Sequence, residues 1–152
     1  MSTQYKALII DDEEQMRRLL RLRLESEGYY AVEASTGREG LQHAASYLPD
    51  FVILDLGLAD VPGIEVLTEL RKWSSAPVII LSVQNDDFEK VKALEMGADD
   101  YVTKPFSLNE LMARIKVSLR HRQTKLNPSK KIKILNLELD LDAHLLWKNG
   151  KE

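Results

Sequence analysis

The sequence contains no cysteine in its 152 residues. The chain therefore has no structural disulfide, no thiolate zinc site, no iron–sulfur cluster and no cysteine nucleophile. Long apolar runs are also missing: the longest, residues 76–81, is far shorter than the roughly 20 residues that span a bilayer. Residues 1–6 show neither the charged nor the apolar region of a signal peptide, which favours a cytoplasmic protein.

The sequence also lacks a large excess of either sign of charge. Its 21 lysines and arginines nearly balance 24 aspartates and glutamates, for a net charge of −3. This balance argues against a chain whose whole surface binds nucleic acid. The average hides a division, because residues 124–152 carry six lysines and four acids, which leaves residues 1–123 at −5. With 44% hydrophobic and 30% charged residues, the composition is that of an ordinary globular protein.

Short apolar runs alternate with segments of helical spacing along residues 1–123. Five runs predict strands, and three of them lack polar alternation, as in a parallel sheet buried on both faces: residues 7–10, 30–32, 51–54, 78–81 and 101–102. Five segments predict helices: residues 14–27, 38–48, 64–73, 88–96 and 108–123. Gly28 and Gly97 are placed to end helices, and Ser107 with Glu110 is typical of a capping box. The pattern predicts a (βα)5 doubly wound α/β domain with a flavodoxin-like parallel sheet.

The remainder of the chain has a different pattern. Residues 124–131 are polar, basic and contain Pro128, which predicts a linker. Residues 132–152 alternate partly and include the turn signal Asn149–Gly150, which predicts two or three short strands. Such strands cannot bury a core alone, so we expect them to be the start of an incomplete second domain.

Polar side chains follow four of the five predicted strands. Asp11 and Asp12 come after the first, Asp55 after the third, Ser82 after the fourth and Lys104 after the fifth. Ligands of open α/β sheets bind beyond the carboxyl ends of the strands, so we expect these five side chains to converge at one edge. Three adjacent carboxylates repel each other unless a cation lies among them, and oxygen ligands without His or Cys suit Mg²⁺.

This set of groups suits phosphoryl transfer. A cation and Lys104 neutralise phosphoryl oxygens, Ser82 donates a hydrogen bond and one aspartate is the nucleophile. The sequence lacks both G-x-x-x-x-G-K-[ST] and G-x-G-x-x-G, so the phosphoryl group must come from another molecule. Each feature alone also has a structural explanation, such as helix capping by Asp11 and Asp12, but four such coincidences at strand ends would be required.

Four strings now give a family resemblance: IIDDE at 9–13, ILDL at 53–56, ILS at 80–82 and GADDYVTKPF at 97–106. Together they resemble the receiver domain of response regulators. The last string, with ELMAR at 110–114, is similar to the OmpR/PhoB subfamily of transcription regulators. Residues 54–58 and 70–79 resemble a member of that subfamily that controls potassium-transport genes.

The resemblance implies roles for individual residues. Asp55 would accept a phosphoryl group from a sensor histidine kinase, and Ser82 and Lys104 would bind that group. Tyr101 would turn inward as a switch when Ser82 engages the phosphoryl group, and the Lys104–Pro105 bond would be cis. The resemblance also implies a Mg²⁺ ion held by four groups: the carboxylates of Asp11, Asp12 and Asp55 and the backbone carbonyl of Gly57.

Two positions depart from the family pattern. The proline of the loop after Asp55 is displaced to Pro62, so we expect this loop to differ in shape. Val83 stands where an alanine is usual, and we expect its larger side chain to slow the entry of small phosphodonors or attacking water.

A phosphoryl group adds about −1.5 to −2 charge at pH 7 and can bias a two-state surface. The resemblance implies a symmetric homodimer through the fourth and fifth helices, with Lys90–Glu110 and Asp100–Arg114 pairs across it. A solvated charged face with pairs inside each helix is the alternative. The predicted dimer face comprises Lys90, Val91, Leu94, Asp99, Asp100, Glu110, Ala113 and Arg114.

Residues 132–152 resemble the opening strands of a winged-helix DNA-binding domain. Since the recognition helix of such a domain lies further on, we expect promoter DNA to be bound by a full-length protein and not by this fragment. A phosphorylation-controlled transcription regulator, and not an enzyme, is the favoured function. A receiver acting only through protein partners is one alternative. The other is a Mg²⁺-dependent phosphatase of the haloacid-dehalogenase type, but position 57 is Gly where its Asp-x-Asp motif needs a second acid.

Overall fold

Strands and helices alternate strictly along the part of the chain that the structure, a computed structural model, describes: residues 4–83 and 87–126. The strands are β1 Lys6–Ile10, β2 Tyr30–Ala34, β3 Phe51–Asp55, β4 Val78–Ser82 and β5 Asp100–Thr103. The helices are α1 Glu14–Ser26, α2 Gly37–Tyr47, α3 Gly63–Arg71, α4 Asp87–Glu95 and α5 Leu108–Leu126. The five strands form one parallel sheet in the order β2-β1-β3-β4-β5. The predicted doubly wound, flavodoxin-like fold is confirmed.

The sheet is buried on both faces because its central strands are apolar at almost every position. Side chains of these strands alternate between two hydrophobic clusters, since successive residues of a strand point to opposite faces. Ile9 and Ile53 pack with Leu20 of α1 and Leu111 of α5. On the other face a second cluster includes Ile10, Leu54, Ile80, Val66, Leu67 and Ala93. Each fully buried leucine or isoleucine contributes about 1.5–3 kcal/mol relative to an exposed one.

Helix ends follow the predicted signals. Gly28 and Gly97 have φ angles of +94° and +113°, a conformation in which a side chain would be strained. The hydroxyl of Ser107 accepts a hydrogen bond from the backbone N–H of Glu110 at 3.3 Å, which caps α5. The helix continues to Leu126, three residues beyond the predicted end, so the prediction that the linker begins at residue 124 was wrong. Residues such as Lys125 and Leu126 have high helix propensity, and a polar, basic composition does not by itself end a helix.

Strand register determines which polar residues meet. Ile10 pairs with Leu54, Asp55 pairs with Leu81, and Ser82 pairs with Thr103. The carboxyl ends of β1, β3, β4 and β5 therefore lie at the same edge of the sheet.

The rest of the predicted linker and the predicted strands at 132–152 lie outside the described residues. No helix in the described part of the chain is long and apolar enough to cross a lipid bilayer.

Candidate functional site

Three carboxylates meet at the carboxyl edge of the sheet, as the sequence predicts. One carboxylate oxygen from each of Asp11, Asp12 and Asp55 lies within 4.8 Å of the other two. The ammonium group of Lys104 completes the cluster, with Nζ 3.5 Å from Asp11 Oδ2 and 3.8 Å from Asp55 Oδ2. Three negative groups thus face one positive group, and the cluster has a net negative charge.

Three parts of Asp11 are hydrogen-bonded, namely its backbone N–H, its backbone carbonyl and one carboxylate oxygen. Its N–H donates to the carbonyl of Ala34 in β2 at 3.1 Å. Its Oδ1 accepts from the N–H of Glu13 at 2.9 Å, and its backbone carbonyl accepts from Nη1 of Arg17 at 2.8 Å. The side chain is only 2% exposed. Its second oxygen, Oδ2, accepts no hydrogen bond from the described residues although it is fully buried.

Asp55 is the last residue of β3, and its side chain is 12% exposed. Burial raises the pKa of this carboxyl above its usual range, and the neighbouring charges of Asp11 and Asp12 raise it further. The N–H of Gly57, which donates to Asp55 Oδ1 at 3.2 Å, and the ammonium of Lys104 lower the pKa in opposition. Burial and repulsion outweigh these two effects, so the ionised form of Asp55 is destabilised when no cation is bound among the acids.

A cavity of about 510 Å³ opens beside Asp55. Ser82, Val83 and Lys104 line it, and Val83 is 72% exposed. The cavity is large enough for a phosphoryl group, and the hydroxyl and ammonium groups that line it are the donors that such a group needs.

The residues of this edge fit a magnesium ion. The buried Oδ2 of Asp11 accepts no hydrogen bond from the described residues and belongs to this group of three carboxylates. No histidine of the described part of the chain joins the group. Hard oxygen donors in this number suit Mg²⁺, which is usually bound by one or two carboxylates and several waters. Asp11, Asp12 and Asp55 are the residues that would hold it.

The remaining predicted site residues occupy the ends of β4 and β5. Ser82 is buried, and its backbone carbonyl accepts from the N–H of Lys104 at 2.8 Å. Tyr101 is 6% exposed and packs inward within the second hydrophobic cluster. The Lys104–Pro105 peptide bond is cis, as the resemblance implies.

The loop between β3 and α3, which contains the displaced proline, is fastened to the start of α2. The carboxylate of Asp60 accepts hydrogen bonds from the N–H groups of Gly37 at 2.9 Å and Arg38 at 3.1 Å. These two bonds lower the pKa of Asp60. Pro62 stands directly before the first residue of α3, in an extended conformation. Asp60 of this loop thus caps the neighbouring helix α2, and Pro62 directly precedes α3.

The predicted dimer face lies on α4, β5 and α5. Val91 and Leu94 are 51% and 39% exposed, and Lys90 and Ala113 are exposed as well. Two further apolar side chains that the sequence analysis omitted, Phe88 and Val117, are also exposed on these helices.

Charged residues of this face already pair within the chain. Nη1 of Arg114 donates to both oxygens of Asp100, at 3.0 and 2.8 Å, and Nη2 donates to Glu110 at 2.9 Å. Asp99 is engaged elsewhere, since its Oδ2 accepts from Arg71 and from the N–H of Val78, both at 2.8 Å.

Sequence reasoning missed the groups that support the site from other elements. Arg17, Glu65, Glu89 and Lys92 were not singled out, although the first contacts Asp11 and the other three line the cavity. Helical spacing places Glu89 and Lys92 on one side of α4, but only the packing of α4 shows that this side faces the cavity.

A doubly wound α/β fold with acids, a hydroxyl and a lysine at one sheet edge is typical of the receiver domains of signalling proteins. Comparison with known sequences agrees, because the response regulator receiver domain matches residues 7–116. The chain belongs to this family.

Two curated relatives are regulators named KdpE. The chain is 43% identical over 145 residues to the KDP operon transcriptional regulatory protein KdpE of Escherichia coli, covering 95% of this chain and 64% of that protein. It is 54% identical over 113 residues to the transcriptional regulatory protein KdpE of Mycobacterium tuberculosis, covering 74% of this chain and 50% of that one. The chain therefore spans about half to two thirds of the length of these relatives.

A solved receiver domain has the same fold. The receiver domain of the Francisella response regulator 1452 superposes with a TM-score of 0.74 at 32% identity, covering 78% of this chain and 99% of that one. The resemblance to the OmpR/PhoB subfamily and to KdpE within it is confirmed.

Proposed function

We propose that this chain is a phosphorylation switch in which Asp55 accepts a phosphoryl group from a phosphohistidine of a sensor kinase. The observation that supports this most directly is the position of Asp55. Its carboxylate lies at the open edge of the sheet, within 4.8 Å of two further acids, 3.8 Å from Lys104 Nζ, and beside a cavity of about 510 Å³.

In the proposed reaction, a carboxylate oxygen of Asp55 attacks the phosphorus atom. A P–O bond forms as the P–N bond to the kinase histidine breaks, and the electron pair of that bond returns to the imidazole nitrogen. Lys104 and the hydroxyl of Ser82 bind phosphoryl oxygens as they approach. Mg²⁺, bound by Asp11, Asp12, Asp55 and the carbonyl of Gly57, would offset the negative charge of these groups. The domain then catalyses only its own phosphorylation and dephosphorylation.

Phosphotransfer to matched variants tests this assignment. The chain is incubated with phosphoramidate and Mg²⁺, and the gain of one phosphoryl group is followed by mass spectrometry. Asp55→Asn should abolish labelling. Asp50→Asn, which changes an aspartate before the first residue of the same strand, should leave labelling intact. Undiminished labelling of Asp55→Asn would exclude Asp55 as the acceptor, and the same experiment with a histidine kinase extends the test to the natural donor class.

We further propose that phosphorylation drives homodimerisation through the face formed by α4 and α5. Its exposed apolar side chains, Val91 and Leu94, supply contact area. Because Arg114 already pairs with Asp100 and Glu110 inside the chain, pairs across an interface would replace existing ones. Charges therefore determine register more than affinity.

The state of assembly tests this face. Light scattering with beryllofluoride, a phosphoryl mimic, should show a dimer for the parent and a monomer for Leu94→Glu. Leu22→Glu provides a matched control, because Leu22 is equally apolar and 53% exposed but lies on α1. A Leu94→Glu variant that dimerises like the parent would contradict the assignment.

For the whole protein, we propose a cytoplasmic transcription regulator of potassium-transport genes, with a winged-helix DNA-binding domain that begins near residue 132. The two relatives named KdpE support this proposal, since their names describe transcriptional regulators and one names the KDP operon. Deleting the gene should abolish the induction of potassium-transport transcripts in potassium-poor medium. Membership of the receiver-domain family favours this function over a phosphatase with an aspartate nucleophile. Multiple turnovers of a phosphorylated substrate would instead support the phosphatase.

A further inference from the structure

Arg17, a residue of α1, links the acidic edge to β2 in a way that its sequence position did not indicate. Its Nη1 donates to the backbone carbonyl of Asp11 at 2.8 Å, and its Nε donates to Glu33 Oε1 at 3.1 Å. The side chain is 14% exposed, and that of Glu33 is 27% exposed. Glu33 is a residue of β2, so the guanidinium bridges a strand and the loop that presents Asp11 and Asp12.

The contact to the carbonyl of Asp11 completes the restraint of that residue. Its N–H is bound to Ala34 and its Oδ1 to the N–H of Glu13. With the carbonyl held by Arg17, Oδ2 remains as the oxygen with no hydrogen bond from the described residues, and it stands 3.5 Å from Lys104 Nζ on the side of the acidic cluster. The hydrogen bonds of Asp11 thus fix which of its oxygens is available for a cation.

If Arg17 acted only through its positive charge, it would weaken the binding of a cation at the acidic edge. A guanidinium near a cation site repels the cation, so removing it should strengthen metal binding if electrostatics were its only contribution. Fixing the backbone and orientation of a ligand has the reverse sign, since partners that hold metal ligands typically contribute about 10-fold to 100-fold in affinity. The two roles can therefore be separated by the direction of a single measurement.

We propose that Arg17 is a positioning residue of the magnesium site, with Glu33 as its anchor on β2. This inference rests on the proposed function, because it concerns the same site. As a cation, Arg17 would not itself bind the ion; it holds the Asp11 carbonyl, and through it the segment that carries two of the three proposed acidic ligands. The planar guanidinium suits this task because its two donors serve a carbonyl and a carboxylate at once.

The test is the dissociation constant for Mg²⁺, measured by titration calorimetry on the unphosphorylated chain. Arg17→Met should weaken binding about 10-fold. Arg21→Met is the matched control: Arg21 also pairs with Glu33 and also lies on α1, but it makes no hydrogen bond to Asp11. We expect Arg21→Met to bind Mg²⁺ as the parent does or slightly more tightly. Equal or tighter binding by Arg17→Met would overturn the inference.

Two further results keep the test decisive. If circular dichroism shows that Arg17→Met is unfolded, Arg17→Lys replaces it. This variant keeps the positive charge but loses the two guanidinium donors that bind the carbonyl and the carboxylate at once. A Mg²⁺ affinity below that of the parent supports the inference, and an equal affinity overturns it. A parent chain that fails to bind Mg²⁺ would instead overturn the proposed magnesium site itself, together with this inference. A parent that binds while Arg17→Met binds equally well refutes the role of Arg17 alone.

Discussion

Neutralising Asp55 should stabilise the fold when no metal is present. The substitution Asp55→Asn keeps the shape of the side chain and removes one of three charges that lie within 4.8 Å of each other. Since Asp11 directly follows β1 and Asp55 ends β3, the sheet fixes their backbones, and their carboxylates can separate only by side-chain rotation. The variant that should block phosphorylation is therefore expected to be the more stable protein.

The magnitude follows from the distances. At an effective dielectric constant of about 20, two like charges 4.8 Å apart repel by about 3.5 kcal/mol, and an opposite pair at 3.8 Å attracts by about 4.4 kcal/mol. Asp55 loses two such repulsions and the one attraction to Lys104, a net relief of about 2.5 kcal/mol. Solvent screening at the open edge and the weakened hydrogen bond from Gly57 reduce this figure. We expect about 1 kcal/mol of stabilisation, or about 3–5 °C in Tm for a domain of this size.

The pH dependence of the free energy of unfolding checks independently that the charge of Asp55 destabilises the fold. Burial, with the adjacent acids, raises the pKa of Asp55 in the folded state above its unfolded value of about 3.9. Between these two pKa values the folded chain binds more protons than the unfolded chain, so the stability of the parent falls as pH rises through this window. Asp55→Asn lacks this contribution, and its advantage over the parent should grow across the same window and then level off.

Urea unfolding in EDTA, followed by circular dichroism, measures the effect. Glu95→Gln is the control, because Glu95 is an exposed residue of α4 outside the cluster, and such changes stay within about 0.5 kcal/mol. Added Mg²⁺ should stabilise the parent more than Asp55→Asn, since ligand binding to the folded state adds stability. If Asp55→Asn is less stable than the parent in EDTA at neutral pH, then Lys104 and Gly57 outweigh the repulsion and the reasoning is wrong.

Three further substitutions test separate parts of the structure. Gly63→Ala would place a Cβ 2.6 Å from the Cα of Leu56, so thermal unfolding should show a loss of about 1–3 kcal/mol, whereas parental stability would contradict the fixed backbone. Val83→Ala should speed labelling by phosphoramidate severalfold, because the larger Val83 lines the cavity beside Asp55. Rates of phosphorylation and dephosphorylation equal to those of the parent would refute its role as a barrier. Arg71→Met should lower the free energy of unfolding in urea by about 3 kcal/mol, since it removes the ion pair with Asp99 and hydrogen bonds to three carbonyls. A loss under about 0.5 kcal/mol, as at an ordinary surface site, would refute this structural role.

The fold was predictable because parallel strands have an unusually direct sequence signal. Residues 51–54 and 78–81 are apolar without interruption, and the structure buries them on both faces. The glycines at 28 and 97 marked helix ends because only their positive φ angles fit there. The end of α5 was less predictable, since helix propensity continues through residues 124–126 and a polar composition does not by itself end a helix.

The site was predictable where topology alone determines it. Asp11 and Asp55 meet because they stand at the carboxyl ends of the neighbouring strands β1 and β3. Lys104 follows β5, which β4 separates from β3, and its long side chain brings Nζ to both carboxylates. The bridge from Arg17 to Glu33 was not predictable in this way. It depends on how α1 is rotated over β2, and the two residues are 16 positions apart with no shared motif.

The rigidity of the strand ends also limits where a change of charge can act. Asp55 is paired in register with Leu81, and Asp11 is fixed by three hydrogen bonds, so neither backbone can shift without breaking ladder contacts. We therefore expect a phosphoryl group on Asp55 to be accommodated by side chains around the cavity, which include Glu89 and Lys92 of α4. Val91 and Leu94 of the same helix are exposed. Since α4 both lines the cavity beside Asp55 and carries part of the proposed dimer face, we expect the output to depend more on α4 than on α1 or α2.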